Sequence, residues 1–504
     1  MTPDRHGRRD GDGGAGGRDP KGRQRGPARA AGGPGPRGEL GPAQRRRTGD
    51  AARTAAFDVL REVAESDAYA NLVLPPLLRH RGIGGRDAAF ATELAYGTLR
   101  MRGRYDVVIS LTADRPVVAI DPPVLDVLRL GVHQHLAMRV PAHAAVSETV
   151  ALARARVGAG AAQFVNAVLR RISAEPLDVW LERVAEAAGP DAVDRLAAVH
   201  SHPAWIVRAL RQALVADGRD PEEITALLAA DNAAPAVTLV ARPGLVSRAQ
   251  LLDAVPGGTP GRWTPTAVVV PGGDPGAFGP VRKALAGVQD EGSQLVALAL
   301  AAVDVGRDAR WLDLAAGPGG KSALLGAVAA GRGAQVVAVE VTPHRALLVE
   351  AATAALPTGT VDVRCADGRQ VGRTEPASYD RVLVDAPCTG LGALRRRPES
   401  RWRRTPEDLP PLTKLQAELL DSAVDAVRPG GVVGYVTCSP HVAENRLVVQ
   451  DLLKRRDDVE QLDARDAVRA VAGDAIPLGP GLSVQLWPHV HGTDAMHLTL
   501  LRRR

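Results

Sequence analysis

Cysteine, aromatic residues and long apolar runs are all scarce in this sequence. The 504 residues include three cysteines, which are too few for a disulfide framework or a four-cysteine zinc site. Aromatic side chains make up only 3% of the chain, so platforms for stacking exposed bases are few. No uncharged apolar run reaches the roughly 18 residues of a membrane-spanning helix, and no apolar secretory signal is visible. These absences favour a cytoplasmic protein that has neither a metal site nor a membrane anchor.

Positive charge is concentrated at the N-terminus. The formal net charge is +6, and residues 1–48 carry +7 through twelve basic and five acidic residues, which leaves about −1 for the remainder. Because residues 1–49 are rich in Gly, Pro and Arg and poor in large apolar side chains, we predict a disordered tail. This tail either solubilises the protein or attracts nucleic-acid phosphates.

The rest of the chain has the composition of a globular protein, and its length suits about three domains at ~100–200 residues each. Ala56, Val59, Leu60 and Val63 recur at the spacing of one helix face, and similar stretches follow, so residues 50–175 are predicted to form a helical domain. Residues 176–285 begin with helical patterns and continue with short apolar runs and Pro/Gly-rich stretches. We predict a small α+β module there.

From residue 286 to residue 504, short apolar runs alternate with helical patterns. The candidate strands are Arg310–Ala315, Gln335–Glu340, Val361–Arg364, Asp380–Asp385 and Gly431–Thr437. Apolar strands separated by helices pair in parallel through right-handed crossovers. The pattern therefore predicts an α/β domain with a doubly wound, Rossmann-like sheet.

A glycine-rich loop and two acids follow the first three of these strands. The loop consists of Ala315, Ala316, Gly317, Pro318, Gly319, Gly320 and Lys321. Glycines at this place let the backbone approach a ligand closely, although the order is neither GxGxxG nor a Walker loop. Glu340 ends the second strand, where a carboxylate can accept both ribose hydroxyls, and Asp367 follows the third strand, where an adenine would lie. The loop and the two acids, each at the end of a successive strand, together indicate a nucleoside site.

Two of the three cysteines follow the next two strands. Cys388 comes after the fourth strand in the run Asp385–Gly390, and Cys438 comes after the fifth in Thr437–Pro440. A free cysteine is usually a small buried hydrophobe, and we interpret Cys365 in this way. Two cysteines at neighbouring strand ends beside a nucleoside pocket instead indicate thiol chemistry.

These motifs resemble those of the RsmB/Sun family of bacterial 16S rRNA cytosine-C5 methyltransferases. The resemblance rests on the runs Leu312–Lys321, Asp385–Gly392, Thr437–Pro440 and Val288–Gln294, and on His143–Val150 and Phe164–Arg171 for the NusB-like part. It covers residues 50–504. One departure is Ala315-Ala316-Gly317, where the family commonly has Cys-Ala-Ala.

The resemblance implies an all-α NusB-like RNA-binding domain and a catalytic domain that uses S-adenosyl-L-methionine. Residues Ala315–Lys321 would wrap the methionine portion, Glu340 would bind the ribose and Asp367 the adenine. Asp385 would lie beside the methyl donor and the target base. The resemblance assigns the nucleophile to Cys438 and product release to Cys388. It also implies 16S rRNA, or an early 30S assembly intermediate, as the partner of a monomeric enzyme.

Cytosine chemistry explains why two thiols are needed. C5 of cytosine is a poor nucleophile, and adding a thiolate at C6 makes C5 enamine-like. After methyl transfer, C5 carries a proton that a base must remove before the C6–S bond can break. A free thiol of pKa ~8.5 is only slightly ionised at neutral pH, so the attacking cysteine needs local activation.

Two other functions remain open, and two further enzyme classes are disfavoured. Transfer RNA is an alternative substrate, and an RNA-binding assembly or antitermination factor with vestigial catalysis is an alternative class. DNA cytosine-C5 methyltransferases use the Pro-Cys cysteine and a Glu-Asn-Val element, whereas here Glu444-Asn445 is followed by Arg446. Amino-group methyltransferases are disfavoured, because no (D/N)PP(Y/F) element ends the fourth strand.

Overall fold

A computed structural model describes residues 50–138 and 140–504, so the predicted tail, residues 1–49, lies outside the described residues. The chain continues with a helical region. Its helices are α1 (Ala51–Glu65), α2 (Ala70–His80), α3 (Gly85–Arg100), α4 (Arg102–Ala113), α5 (Pro122–Leu136), α6 (Ala142–Arg156) and α7 (Ala159–Ile172). The predicted apolar face of α1 is buried, and α5 is enclosed along most of its length by the other helices. These contacts form one helical core, as the sequence pattern predicts.

The middle region combines helices with a small antiparallel sheet. Its helices are α8 (Leu177–Ala187), α9 (Ala192–Val199), α10 (Ala204–Ala216), α11 (Ile224–Asn232), α12 (Arg248–Asp253) and α13 (Gly279–Arg282). Its strands are β1 (Val237–Ala241), β2 (Thr259–Pro260), β3 (Ala267–Val270) and β4 (Ala286–Val288), in the spatial order β2-β3-β1-β4. The α+β character predicted for this region is confirmed.

The C-terminal region is built on an eight-stranded mixed sheet. Its strands are β5 (Arg310–Asp313), β6 (Gln335–Glu340), β7 (Val361–Cys365), β8 (Tyr379–Asp385), β9 (Val427–Thr437), β10 (Val459–Leu462), β11 (Val484–Gln485) and β12 (His497–Arg503). Its helices are α14 (Glu291–Ala302), α15 (Gly320–Gly331), α16 (Pro343–Thr353), α17 (Val371–Thr374), α18 (Ser400–Arg403), α19 (Leu409–Ala426), α20 (Val448–Arg455), α21 (Ala464–Ala472) and α22 (Pro488–His491).

The strand order is β10-β12-β9-β8-β5-β6-β7, and β11 pairs with β12. The five predicted strands, β5 to β9, pair in parallel, whereas β12 runs antiparallel to β9 and β10. Apolar cores cover both faces of the sheet, which explains why the parallel strands are nearly continuous apolar runs. The predicted doubly wound fold is confirmed, and its order places the C-terminal ends of β5, β6, β8 and β9 at one edge.

The three regions pack against one another near that edge. In the segment that follows the Cys388 loop, the Arg401 guanidinium is fully buried and donates to backbone carbonyls of Arg100, Ser201 and Asp231. These carbonyls belong to the helical and middle regions, so this segment of the C-terminal region is anchored to both. Among the described residues, no helix is long and apolar enough to cross a membrane.

Candidate active site

The glycine-rich loop links β5 to α15 and fits closely against its surroundings. Gly319 has φ +103°, a left-handed conformation that favours glycine. A Cβ atom on Gly317 would lie 2.3 Å from Oε2 of Glu340. The loop backbone therefore approaches the end of β6 more closely than any side chain at position 317 would permit.

Glu340 and Asp367 lie at neighbouring strand ends but differ in their surroundings. Glu340 is buried, and its carboxylate accepts hydrogen bonds from the amides of Gly317 and Thr342, each at 3.0 Å. Asp367 is part-exposed and pairs with the guanidinium of Arg369 at 2.8 Å. Hydrogen bonds from Arg369 hold the pKa of Asp367 below its usual range. Glu340 thus supports the loop directly, whereas Asp367 forms a charged rim next to it.

Two buried acceptor atoms lack partners beside the glycine loop. Ser322 donates to Oδ2 of Asp313 at 2.6 Å, but Oδ1 has no partner among the described residues. Oε1 of Gln289 is likewise unpartnered, and its side chain lies 3.8 Å from where a Cβ of Gly320 would be. Burial raises the pKa of Asp313 to about 7, against the hydrogen bond from Ser322. Unsatisfied buried acceptors are costly, so they mark a place suited to a ligand that carries hydrogen-bond donors, such as an ammonium group.

The two cysteine loops bring Cys388 and Cys438 into direct contact. Their Sγ atoms are 3.4 Å apart, and both side chains are part-exposed. The parallel pairing of β8 with β9 makes this contact possible, because Asp385 at the end of β8 pairs in register with Val436 of β9. Gln416 of α19 fixes the first loop by donating to the carbonyl of Pro387 at 2.8 Å. The two thiols therefore form one directly interacting pair.

The charges around this pair differ between the two sulfur atoms. A hydrogen bond from Cys388 lowers the pKa of Cys438, whereas burial and the negative charge of Asp385 act to raise it. The positive charges of Lys321 and Arg397 add to the lowering, and the net direction is down. The same hydrogen bond, together with burial and the negative charge of Glu444, raises the pKa of Cys388 well above its usual value. The arrangement favours a thiolate at Cys438 and a neutral thiol at Cys388.

Lys321, the last residue of the glycine loop, forms an ion pair with Asp385, three residues before Cys388. Its Nζ lies 2.8 Å from Oδ2 of Asp385, and the lysine side chain is largely buried. Burial acts to lower the pKa of Lys321, but the charge and hydrogen bond of Asp385 outweigh it and raise that pKa. A permanent ammonium group therefore pairs with the Asp385 carboxylate, and its charge is one of those that lower the pKa of Cys438.

Comparison with known proteins agrees with this geometry. Rv1407 of Mycobacterium tuberculosis, a putative methyltransferase, is 54% identical over 460 residues, which cover 91% of this chain and 98% of the relative. The probable ribosomal RNA small subunit methyltransferase B of Bacillus subtilis is 30% identical over 463 residues, with coverages of 90% and 98%. The model of the family described as 16S rRNA methyltransferase RsmB/F matches residues 298–502, and that of the NusB family matches residues 50–174. This chain belongs to the RsmB/F methyltransferase family.

Membership of the RsmB/F family confirms the resemblance drawn from the motifs, including its NusB-like part. Among solved structures, PH0851 aligns with 90% of this chain and 98% of its own length, with a TM-score of 0.73 and 19% identity. That likeness shows that the two chains share the fold.

Glu444 and Asn445 of this RsmB/F member together contact both cysteine loops, and the sequence motifs do not predict these contacts. Glu444 lies in a π-helical turn, Ala443–Leu447, and is completely buried. Its carboxylate accepts hydrogen bonds from the Thr389 amide at 2.7 Å and from the Ser439 hydroxyl at 2.6 Å. Asn445 accepts from the Thr437 hydroxyl at 2.6 Å. The pair joins the two cysteine loops, and the only sequence signal was its position a few residues after Cys438.

The expectation for Cys365 was wrong. It was interpreted as a buried hydrophobe, but its side chain is exposed at the end of β7. The reason is that β7 is the edge strand of the sheet, where only one neighbouring strand covers it. The sheet order thus separates Cys365 from the two thiols at β8 and β9.

Proposed function

We propose that this protein transfers a methyl group from S-adenosylmethionine to C5 of a cytosine in RNA, with 16S rRNA as the substrate. The observation that carries the proposal is the Cys388–Cys438 pair, 3.4 Å apart and directly beside the Lys321–Asp385 ion pair. The Bacillus subtilis relative named above, a probable small-subunit rRNA methyltransferase, supports the choice of RNA.

The residues around the glycine loop fit this cofactor. The unpartnered acceptors Asp313 Oδ1 and Gln289 Oε1 suit its ammonium group, Glu340 suits the ribose and Asp367 the adenine. The Gly317 backbone packs directly against the Glu340 carboxylate, which brings the loop and the proposed ribose ligand together at the end of β6. When bound, the cofactor supplies an electrophilic methyl group on a sulfonium.

Attack on the base begins at Cys438. The Cys438 thiolate adds to C6, so an S–C6 bond forms and the ring electrons move to C5. Lys321 keeps this sulfur ionised before the attack, and the Asp385 carboxylate can accept a hydrogen bond from the N4 amino group of cytosine. The electron-rich C5 then takes the methyl group.

Release of the product depends on Cys388. Once Cys438 has become a thioether, it carries no negative charge, and two causes of the raised pKa of Cys388 disappear. Cys388 can then ionise and remove the proton from C5, directly or through water. The electrons of the C5–H bond restore the C5–C6 double bond, and the C6–S bond breaks.

The experiment is a methyl-transfer assay with the purified full chain, labelled S-adenosylmethionine and either unmodified 30S-derived RNA or unmodified tRNA. We expect label in 16S rRNA, and bisulfite sequencing should place it at C5 of a cytosine. If label appeared in tRNA alone, tRNA would replace 16S rRNA as the proposed substrate. RNA binding without transfer to any RNA would favour an assembly factor and overturn the enzymatic proposal.

A further inference from the structure

The segment that follows the Cys388 loop is exceptionally rich in arginine. Six arginines lie between residues 395 and 404, and most of them are held by other groups. Arg395 and Arg396 pair with Asp290 and Asp494, Arg401 and Arg403 donate to backbone carbonyls, and Arg404 lies 3.9 Å from Asp408. Within the part of the chain that the structure describes, the Arg397 guanidinium alone of the six has no hydrogen-bond or ion-pair partner, and its side chain is exposed.

A tyrosine from the NusB-like region orients this guanidinium. The Arg397 guanidinium lies 5.1 Å from the ring centroid of Tyr69, and Arg403 lies 5.3 Å from the same ring. The ring is held in place by the next residue, because the Ala70 amide donates to Glu399 at 3.0 Å. A guanidinium packed on an aromatic face keeps its N–H groups available to a further acceptor.

Arg397 is also connected to the reactive thiol through a short backbone path. Its amide donates to the carbonyl of Ala393 at 3.0 Å, and the neighbouring Gly392 amide donates to the carbonyl of Cys438 at 2.8 Å. Its charge is one of the causes that lower the pKa of Cys438. The unpaired cation thus lies in the segment that adjoins the Cys438 loop, where two regions of the protein meet.

We infer that Arg397, oriented by Tyr69, binds a backbone phosphate of the RNA next to the target cytosine. The inference rests on the proposed function, since it takes RNA as the substrate. A cytosine that is to be attacked at C6 must leave the base stack. The phosphates that flank it then come close to the thiol pair and to the segment that carries Arg397. The planar guanidinium presents paired N–H donors that match a phosphate, whereas its neighbours have already used theirs.

The test measures RNA binding as a function of salt without cofactor, using unmodified 16S rRNA transcript. Arg397→Ala should weaken binding about tenfold at low salt and reduce the slope of log affinity against log salt by about 0.7. Tyr69→Ala should weaken binding in the same direction, and Tyr69→Phe, which keeps the ring, should restore wild-type binding. The control is Arg455→Ala, which removes an exposed charge already paired with Asp421 and Asp451 and should leave the slope unchanged.

A second readout separates binding from activation of the thiol. The rate of Cys438 alkylation by iodoacetamide in the absence of RNA, measured in a Cys365→Ala/Cys388→Ala background, reports only the Cys438 thiolate. If Arg397→Ala slows alkylation but leaves the affinity and salt slope at wild-type values, the phosphate site is overturned. A wild-type protein that binds the transcript but transfers no methyl group would instead contradict the proposed function, and the binding comparison would still decide the role of Arg397.

Discussion

Cys388 and Cys438 are the same residue type, follow neighbouring parallel strands and touch each other, yet their surroundings favour opposite ionisation states. Cys438 lies near the cations of Lys321 and Arg397 as well as the Asp385 carboxylate, whereas the fixed charge beside Cys388 is the buried carboxylate of Glu444. Because the sulfurs are 3.4 Å apart, a charge on one strongly disfavours a charge on the other. In the proposed reaction, placement among fixed charges therefore decides which thiol attacks.

The roles also follow in time from this coupling. While Cys438 is a thiolate, Cys388 donates a hydrogen bond to it and stays protonated. After attack, the restraint on Cys388 is released. In the proposed reaction, a single pair of sulfurs therefore supplies first a nucleophile and then a base, which is how coupled titrating sites behave.

The largest effect is expected for Cys438→Ala. Without this sulfur no C6 bond forms, so methyl transfer should fall to background and no denaturant-stable RNA adduct should appear. Labelled-methyl transfer and denaturing electrophoresis measure both outcomes, and Cys365→Ala, which removes the exposed cysteine, is the matched control. If the Cys438→Ala variant still formed an adduct through Cys388, the roles of the two thiols would be exchanged. DNA cytosine-C5 methyltransferases, which attack through the Pro-Cys cysteine, would give that result.

Cys388→Ala should impair turnover but not attack. The chain should still bond to C6 and methylate C5, but proton removal slows, and a methylated RNA–protein adduct should accumulate in the presence of S-adenosylmethionine. The Cys388→Ala/Cys438→Ala double variant should lose the adduct, because trapping requires prior attack. An inert Cys388→Ala protein that forms no adduct would break the assignment of both thiols.

Lys321→Met should raise the pKa of Cys438. It removes the adjacent cation and leaves the charge of Asp385 uncompensated, so the thiolate needs a higher pH to form. A shift of about one unit would slow Cys438 alkylation about tenfold at neutral pH, and the rate would recover as the pH rises through the new pKa. The measurement is the pH profile of alkylation in the Cys365→Ala/Cys388→Ala background, where Cys438 is the single remaining thiol. A uniformly lower rate with an unchanged inflection would contradict this electrostatic role.

The smallest effect is expected for Glu444→Gln, the opposite change beside the other thiol. The amide has the same shape, and the Thr389 and Ser439 hydroxyls can reverse their hydrogen bonds toward it, so the loops should stay in place. Removing the negative charge should lower the pKa of Cys388 and speed its alkylation a few-fold near pH 8 in the Cys365→Ala/Cys438→Ala background. An unchanged pH profile would show that Glu444 acts only as a clamp.

Much of the architecture was predictable because its signals are local. The parallel strands β5 to β9 are apolar runs with helical patterns between them, and the glycine loop, Cys388 and Cys438 each follow one such strand. The last strands, β10 to β12, were not predicted. β10 and β11 are short, and all three strands run antiparallel to their neighbours, so the alternation of strand and helix typical of a parallel sheet does not predict them.

The sequence by itself determined that two thiols, a glycine loop and two acids would gather at the carboxyl edge of one sheet, because parallel strands end together. Only the tertiary structure decided their chemistry. It placed the Lys321 ammonium against Asp385, buried Glu444 beside Cys388, and set Tyr69 of the NusB-like region against Arg397. Those contacts join residues far apart in the chain. Electrostatic effects depend on distance and burial, which the order of residues does not contain.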